Sequence, residues 1–144
     1  MKIYGIGFGR AFIAALTLSA SLLLNANGFE GEGSVSVVRA VPPVYPARAA
    51  DVSGEVIVET IIDVQGVVTS VNAVQGHNVL NVAAEKAASK WRFNALDGKE
   101  KERKVRLTFQ FTLIPSNKGT PDDLGVIFWP PFKVEVRDAR YRVN

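Results

Sequence analysis

Cysteine is absent from the sequence, and histidine occurs once, at His77. Without cysteine there is no disulfide framework, no thiol nucleophile and no Cys-bearing zinc site, and a lone histidine leaves a catalytic triad with a single possible base. Excess charge is lacking too. Lys and Arg number 17 against 14 Asp and Glu, and two of the basic residues, Lys2 and Arg10, flank an apolar run near the N-terminus. The remainder is close to neutral and carries no basic footprint for wrapping nucleic acid. Acid–base catalysis needs convergent titratable groups, and the sequence presents none, so no catalytic centre, metal site or cofactor is expected. Apolar residues, in contrast, make up 47% of the 144, which excludes a disordered chain and suits one ordinary domain.

Residues 1–28 read as a secretory signal peptide. Lys2 and Arg10 lead into the uncharged run AFIAALTLSASLLL at 11–24, and Ala26 and Gly28 supply small residues for cleavage before Phe29. As a helix that run spans only about 21 Å, short of a hydrocarbon core roughly 30 Å thick. The competing reading is an uncleaved anchor over residues 11–29, since no charge follows until Glu30. Gly5, Gly7 and Gly9 form a glycine string that neither follows a strand nor opens a nucleotide-binding unit. Residues 29–40 read as a linker or a leading strand.

Val41-Pro42-Pro43-Val44-Tyr45-Pro46 forces extended backbone ahead of a short helix at 47–50. From residue 54 to 64, Val56, Val58, Ile62 and Val64 alternate with Glu55, Glu59 and Asp63, which predicts a strand with one buried side. Gln65-Gly66 joins it to a second β-branched run at 67–74, predicting a tight hairpin in which Gly66 takes a positive φ. Val68 falls out of phase with Val71 and Ala73, so a bulge is expected near Thr69 or Ser70. Leu80, Ala84, Ala87 and Trp91 recur at helical spacing, predicting an amphipathic helix of about 13 residues capped by Asn78. Asp97-Gly98 marks a turn. Val105, Leu107, Phe109, Phe111 and Leu113 then alternate with Lys104, Arg106, Thr108, Gln110 and Thr112, the cleanest strand pattern in the chain.

A right-handed crossover from the second strand through the helix to a parallel third strand leaves the first strand between them. The expected fold is therefore α+β, a three-stranded antiparallel sheet of order 2-1-3 with one main helix on one face and the third strand at an open edge. The extension at 115–144 is expected to hold one further strand, because Phe132, Val134 and Val136 alternate with Lys133, Glu135 and Arg137. Three roles are open to it. Phe128, Trp129 and Phe132 cover the open sheet face, or they form a partner surface, or residues 132–137 pair with the third strand and fill its edge. Elsewhere the bland readings lead: Trp91 is buried at the helix end with Arg92 solvated, His77 sits in a surface loop, Asp122-Asp123 forms a turn or cap, and residues 99–106 are a solvated approach to the third strand.

Pro43, Tyr45-Pro46, Ala47 and Ala49, Gly54 opening a Val-rich strand, Ile62-Asp63 and Gly66 at the hairpin, Ala83-Ala84 in the helix, Trp91-Arg92-Phe93 at its end and Phe109-x-Phe111-x-Leu113 follow one another in an order that resembles the C-terminal domain of TonB, over residues 41–114. The resemblance implies structural roles for Pro46, Gly54, Gly66, Trp91, Phe93, Phe109 and Phe111. It implies a non-enzymatic periplasmic domain that contacts an outer-membrane transporter, whose N-terminal segment adds as a strand to the domain's last strand. The partner-binding set is then Tyr45, Lys104, Arg106, Thr108, Gln110 and Thr112. Two alternatives stand beside it. One is a membrane-anchored energy transducer working with an inner-membrane proton-channel complex, and the other is a structural envelope protein that self-associates into homodimers through open sheet edges. The family's transducers have a long Pro-rich spacer and a Ser and a His in the anchor. Here about a dozen residues, reaching about 40 Å, separate the apolar run from Val41, and that run holds Ser19 and Ser21 but no His. Both departures argue against proton coupling. The glutamine that transducers place before Tyr-Pro is replaced by Val41-Pro42-Pro43, which points to a different choice of partner.

Overall fold

The computed structural model describes residues 35–98, 100–117 and 119–140. The expected signal peptide or anchor at 1–28 lies outside them. In chain order the elements are β1 (Val37–Arg39), a 3-10 turn at Ala47–Ala49, β2 (Gly54–Asp63), β3 (Val68–Gln75), α1 (Asn78–Ala88), β4 (Arg92–Phe93), β5 (Glu102–Pro115), a 3-10 turn at Pro121–Asp123, β6 (Gly125–Trp129) and β7 (Lys133–Arg140). β1 and β4 pair with each other, and the other strands form one sheet of order β3-β2-β5-β7-β6.

The expected three-stranded order survives inside this sheet as β3-β2-β5, antiparallel throughout. Two expectations are corrected: the sheet has five strands rather than three, and the extension supplies two of them rather than one. β7 runs parallel to β5, from Thr108 opposite Lys133 to Pro115 opposite Arg140, and β6 folds back antiparallel on β7. The cause is the open edge itself. An edge strand leaves a row of unpaired N–H and C=O groups, and the alternation of β7 puts Val134 and Val136 on the same buried face as Phe109 and Phe111. β6 escaped notice because Val126-Ile127-Phe128-Trp129 is apolar without alternation.

At the β2–β3 turn Gly66 has φ +78°, and a Cβ there would collide with the carbonyl oxygen of Phe93. Glycine is therefore required twice over, for its dihedral and for the close approach. The Asp63 carboxylate accepts from the Gln65 and Val67 amides, both at 2.9 Å, and fixes the turn. Ile61 faces Ser70 while Ile62 faces Val68, so Thr69 is the extra residue of the expected bulge. The helix is capped by His77, not Asn78: the His77 backbone is extended and its Nδ1 accepts from the Val79 amide at 3.3 Å.

Leu80, Ala84, Ala87 and Ala88 of α1 bury against Val56, Val58, Ile62, Leu107 and Phe109 of the sheet. Trp91 is 1% exposed, stands edge-on to Phe109 with centroids 6.0 Å apart, and donates its Nε1–H to the Val41 carbonyl at 2.8 Å. That bond ties the Pro-rich segment to the end of the helix. Thr60, buried among the β2 aliphatics, donates its hydroxyl to the Val105 carbonyl at 2.9 Å, so no polar group is stranded there.

Candidate functional site

The site is built on β5, the longest strand at 14 residues. One edge of β5 is bonded to β2 from Glu102 to Phe111. On the other edge the Thr108 amide donates to the Phe132 carbonyl at 2.9 Å. Because backbone groups alternate along a strand, Thr108, Gln110 and Thr112 turn their N–H and C=O toward β7. Lys104 and Arg106 turn theirs to the same side but lie before the stretch that β7 covers. β5 is thus half covered along that edge.

The side chains of Lys104, Arg106, Thr108, Gln110 and Thr112 stand on the sheet face opposite α1. A network of charges runs across this face. The Glu59 carboxylate meets the Arg106 guanidinium at 2.8 Å and the Lys104 ammonium at 3.4 Å. The Arg106 hydrogen bond, seconded by Lys104, holds the Glu59 carboxyl below its ordinary range. Further along, Glu135 accepts from the Arg137 Nε at 2.8 Å and from the Thr112 hydroxyl at 3.1 Å, and these bonds, Arg137 first, lower its pKa. Lys133 lies 3.7 Å from Glu55. Gln110, Thr112, Trp129, Lys133 and Glu135 surround a shallow concavity of about 490 Å³.

Tyr45 is separated from the other five expected partner residues. Its ring packs edge-on against Phe111 with centroids 5.3 Å apart, on the helix side of the sheet, and its hydroxyl donates to the Val52 carbonyl. The sheet stands between it and Lys104. Beside Tyr45, residues 41–47 and α1 enclose an apolar groove of about 500 Å³ edged by Lys86 and Lys90. Of the expected structural residues, Trp91, Phe93, Phe109 and Phe111 are buried, Pro46 precedes the first 3-10 turn and Gly54 opens β2.

Sequence reasoning did not single out Glu59, Glu135 or Arg137. The β2–β5 register places Glu59 opposite Arg106, so that ion pair was readable once those two strands were aligned. Glu135 and Arg137 required knowing that β7 docks beside Thr112. Asp123 acts as a cap: its carboxylate accepts from the Thr120 amide at 2.7 Å, which lowers its pKa. Among the described residues no three His, Asp or Glu side chains gather as metal ligands, and no helix is long and apolar enough to cross a membrane.

Residues 41–113 match the family described as Gram-negative bacterial TonB protein C-terminal, and the chain belongs to that family. Curated proteins named Protein TonB from two strains of Xanthomonas campestris pv. campestris are each 40% identical to it over 78 residues. The aligned region is 50% of this chain and 35% of theirs, so the chain spans about a third of the length of these relatives. The solution NMR structure of the Pseudomonas aeruginosa TonB CTD superposes with a TM-score of 0.45 at 24% identity, covering 56% of this chain and 88% of that one.

Proposed function

We propose that this chain is a periplasmic partner-binding domain that engages an outer-membrane transporter by taking an extended segment of the transporter as a strand along β5. The observation that carries this reading is who covers β5. Its second edge is served by β7, a strand that lies beyond the family-matched residues 41–113 and runs parallel to β5. Main-chain hydrogen bonds supply the affinity in strand addition, and alternate side chains supply the selection. Any extended segment of the right pattern can therefore stand where β7 stands.

β7 itself defines that pattern. It offers aliphatic side chains at Val134 and Val136 to the buried face, and a carboxylate at Glu135 to the Thr112 hydroxyl. A partner strand with alternating aliphatics and an acidic residue between them reproduces these contacts. Lys104 and Arg106, next along β5, extend the preference to a second acidic residue, which competes with Glu59 for them. Gln110 and Thr108 contribute uncharged donors on the same face. Tyr45 acts from behind, bracing Phe111. Since β7 must leave before the partner enters, the apparent affinity is the intrinsic one reduced by the fraction of molecules with β7 released.

The test is an NMR titration of the isotope-labelled chain with a synthetic peptide copying the N-terminal periplasmic segment of an outer-membrane transporter from the same organism. The expected result is that amide signals of residues 133–140 move to unpaired positions while those of 108–114 shift yet stay protected from exchange. Binding that leaves the β7 signals in place, or no binding, overturns the proposal.

A further inference from the structure

β6 forms the far edge of the sheet, and the geometry points to a second copy of this chain as its occupant, paired antiparallel, β6 on β6, about a two-fold axis at Ile127. This inference stands apart from the strand-addition reading, because it concerns a different strand and a different edge.

The outward groups of β6 follow from the register. β7 turns its even-numbered residues to β5, since the Thr108 amide donates to Phe132 and Thr108 faces Lys133. Lys133, Glu135 and Arg137 therefore face β6, opposite Trp129, Ile127 and Gly125. Val126 and Phe128 are left with their N–H and C=O pointing away from the sheet. In a two-fold antiparallel pair about Ile127, Val126 of one copy stands opposite Phe128 of the other in hydrogen-bonded pairs. Ile127 then faces Ile127 of the second copy as a non-hydrogen-bonded pair, the alternation an antiparallel ladder requires.

The side chains are complementary to themselves in that register. Val126 and Phe128, 42% and 46% exposed, share the face of buried Val134 and Val136. The pairing sets each Phe128 beside a valine of the other copy, a favourable aromatic and β-branched cross-strand pair. Trp129, 52% exposed, falls opposite Gly125, so no side chain of the other copy collides with its indole, which is hydrogen-bonded to Glu135 of its own chain. Leu124, 40% exposed, falls opposite Pro130 at the mouth of a cavity of about 350 Å³ lined by Trp91, Phe128, Trp129, Pro130 and Pro131.

Among the described residues nothing on this edge opposes pairing. Natural edge strands are blunted by Lys, Pro, inward charges or bulges, and Gly125-Val126-Ile127-Phe128-Trp129 carries none of these. A five-residue ladder with Leu124 seated buries less than the roughly 800 Å² per partner of a standard stable interface, so the dimer is expected to be reversible and concentration-dependent.

The experiment uses the full chain, which has no cysteine of its own. In Ile127→Cys the two-fold axis brings the new thiols together at about 4.5 Å between Cα atoms, within disulfide reach. Val126→Cys places its thiol opposite Phe128 and Asn72→Cys places one on the other edge strand, β3, so both serve as controls. Under mild oxidant Ile127→Cys is expected to give covalent dimer at least about tenfold faster than either control. Sedimentation of the unmodified chain is expected to show concentration-dependent dimer that Val126→Lys abolishes, with the far-UV CD spectrum of that variant unchanged. Equal cross-linking rates, faster cross-linking through Asn72→Cys, or a chain that stays monomeric across the micromolar range overturns the inference.

Discussion

At the residue scale the structure depends on a few positions where one side chain, or its absence, has no substitute. Gly66 is one. Its positive φ and the Phe93 carbonyl facing it mean that Gly66→Ala incurs both left-handed strain and a backbone clash. A loss of about 2 kcal/mol or more is expected, read as a drop in urea midpoint at constant slope. The same substitution at Gly98, where a Cβ meets nothing, is expected to cost less. Carboxylates set the acid limit. Glu59, Glu135 and Asp123 all titrate below their ordinary values in the folded chain, through Arg106, Arg137 and the Thr120 amide respectively. Their contribution to stability is fully present above the unfolded values, about 4.3 for Glu and 3.9 for Asp, and is lost as pH falls through the lowered folded values. Stability is therefore expected to be flat from neutral pH down to about 5 and to fall below about pH 4.3. Glu135→Gln is expected to make the acid loss shallower, as measured by urea unfolding at a series of pH values. Added salt is expected to weaken the exposed ion pairs of Glu59 with Lys104 and Arg106 first.

At the element scale the strands divide into those the sequence announced and those it did not. β2 and β5 were legible because one face of each is buried and the other wet, so apolar residues recur with period two, and β3 was legible from its β-branched run after Gly66 although its inner face is only half-buried. Even the bulge at Thr69 was readable as a phase slip between Val68 and Val71. The helix cap was misread by one residue because Asn is the commoner cap, while the extended backbone at His77 puts an imidazole in that role. β6 was missed because a uniformly apolar run has no period to detect. β7 was half legible: its alternation showed a strand, but not whether it would pair with β5 or lie over the sheet face. Of the six residues expected to bind a partner, Lys104, Arg106, Thr108, Gln110 and Thr112 share one face of the sheet, as their alternation predicted, and Tyr45 lies on the other. β7 both completes the core and covers the site, and truncation after Ser116 separates the two roles. Val134 and Val136 leave the core with it, at about 1.5–3 kcal/mol each, so the truncated chain is expected to unfold at lower urea. Its affinity for a strand peptide is expected to rise, measured by calorimetry, because no tail competes for β5. Lower stability with unchanged affinity would show that β7 is only a structural strand.

At the scale of the whole molecule, a family domain at 41–113 carries a hairpin from its own C-terminal extension on the edge of its longest strand. The extension presents two surfaces. Through β7 it occupies β5, and through β6 it presents an uncharged edge, the one inferred to take a second copy. The two surfaces are coupled by geometry, because a partner strand that displaces β7 also dislodges β6. Partner binding and dimerisation are therefore expected to oppose each other. The central claim, that partners enter along β5 in place of β7, is tested most directly by locking the two strands together. Gln110 and Glu135 are registered neighbours, and the chain has no other thiol, so Gln110→Cys with Glu135→Cys makes a reversible staple. The full chain carrying it is expected to bind the transporter peptide when reduced and to lose binding when oxidised. Equal affinity in the two states would contradict the account, and would move the binding surface off β5.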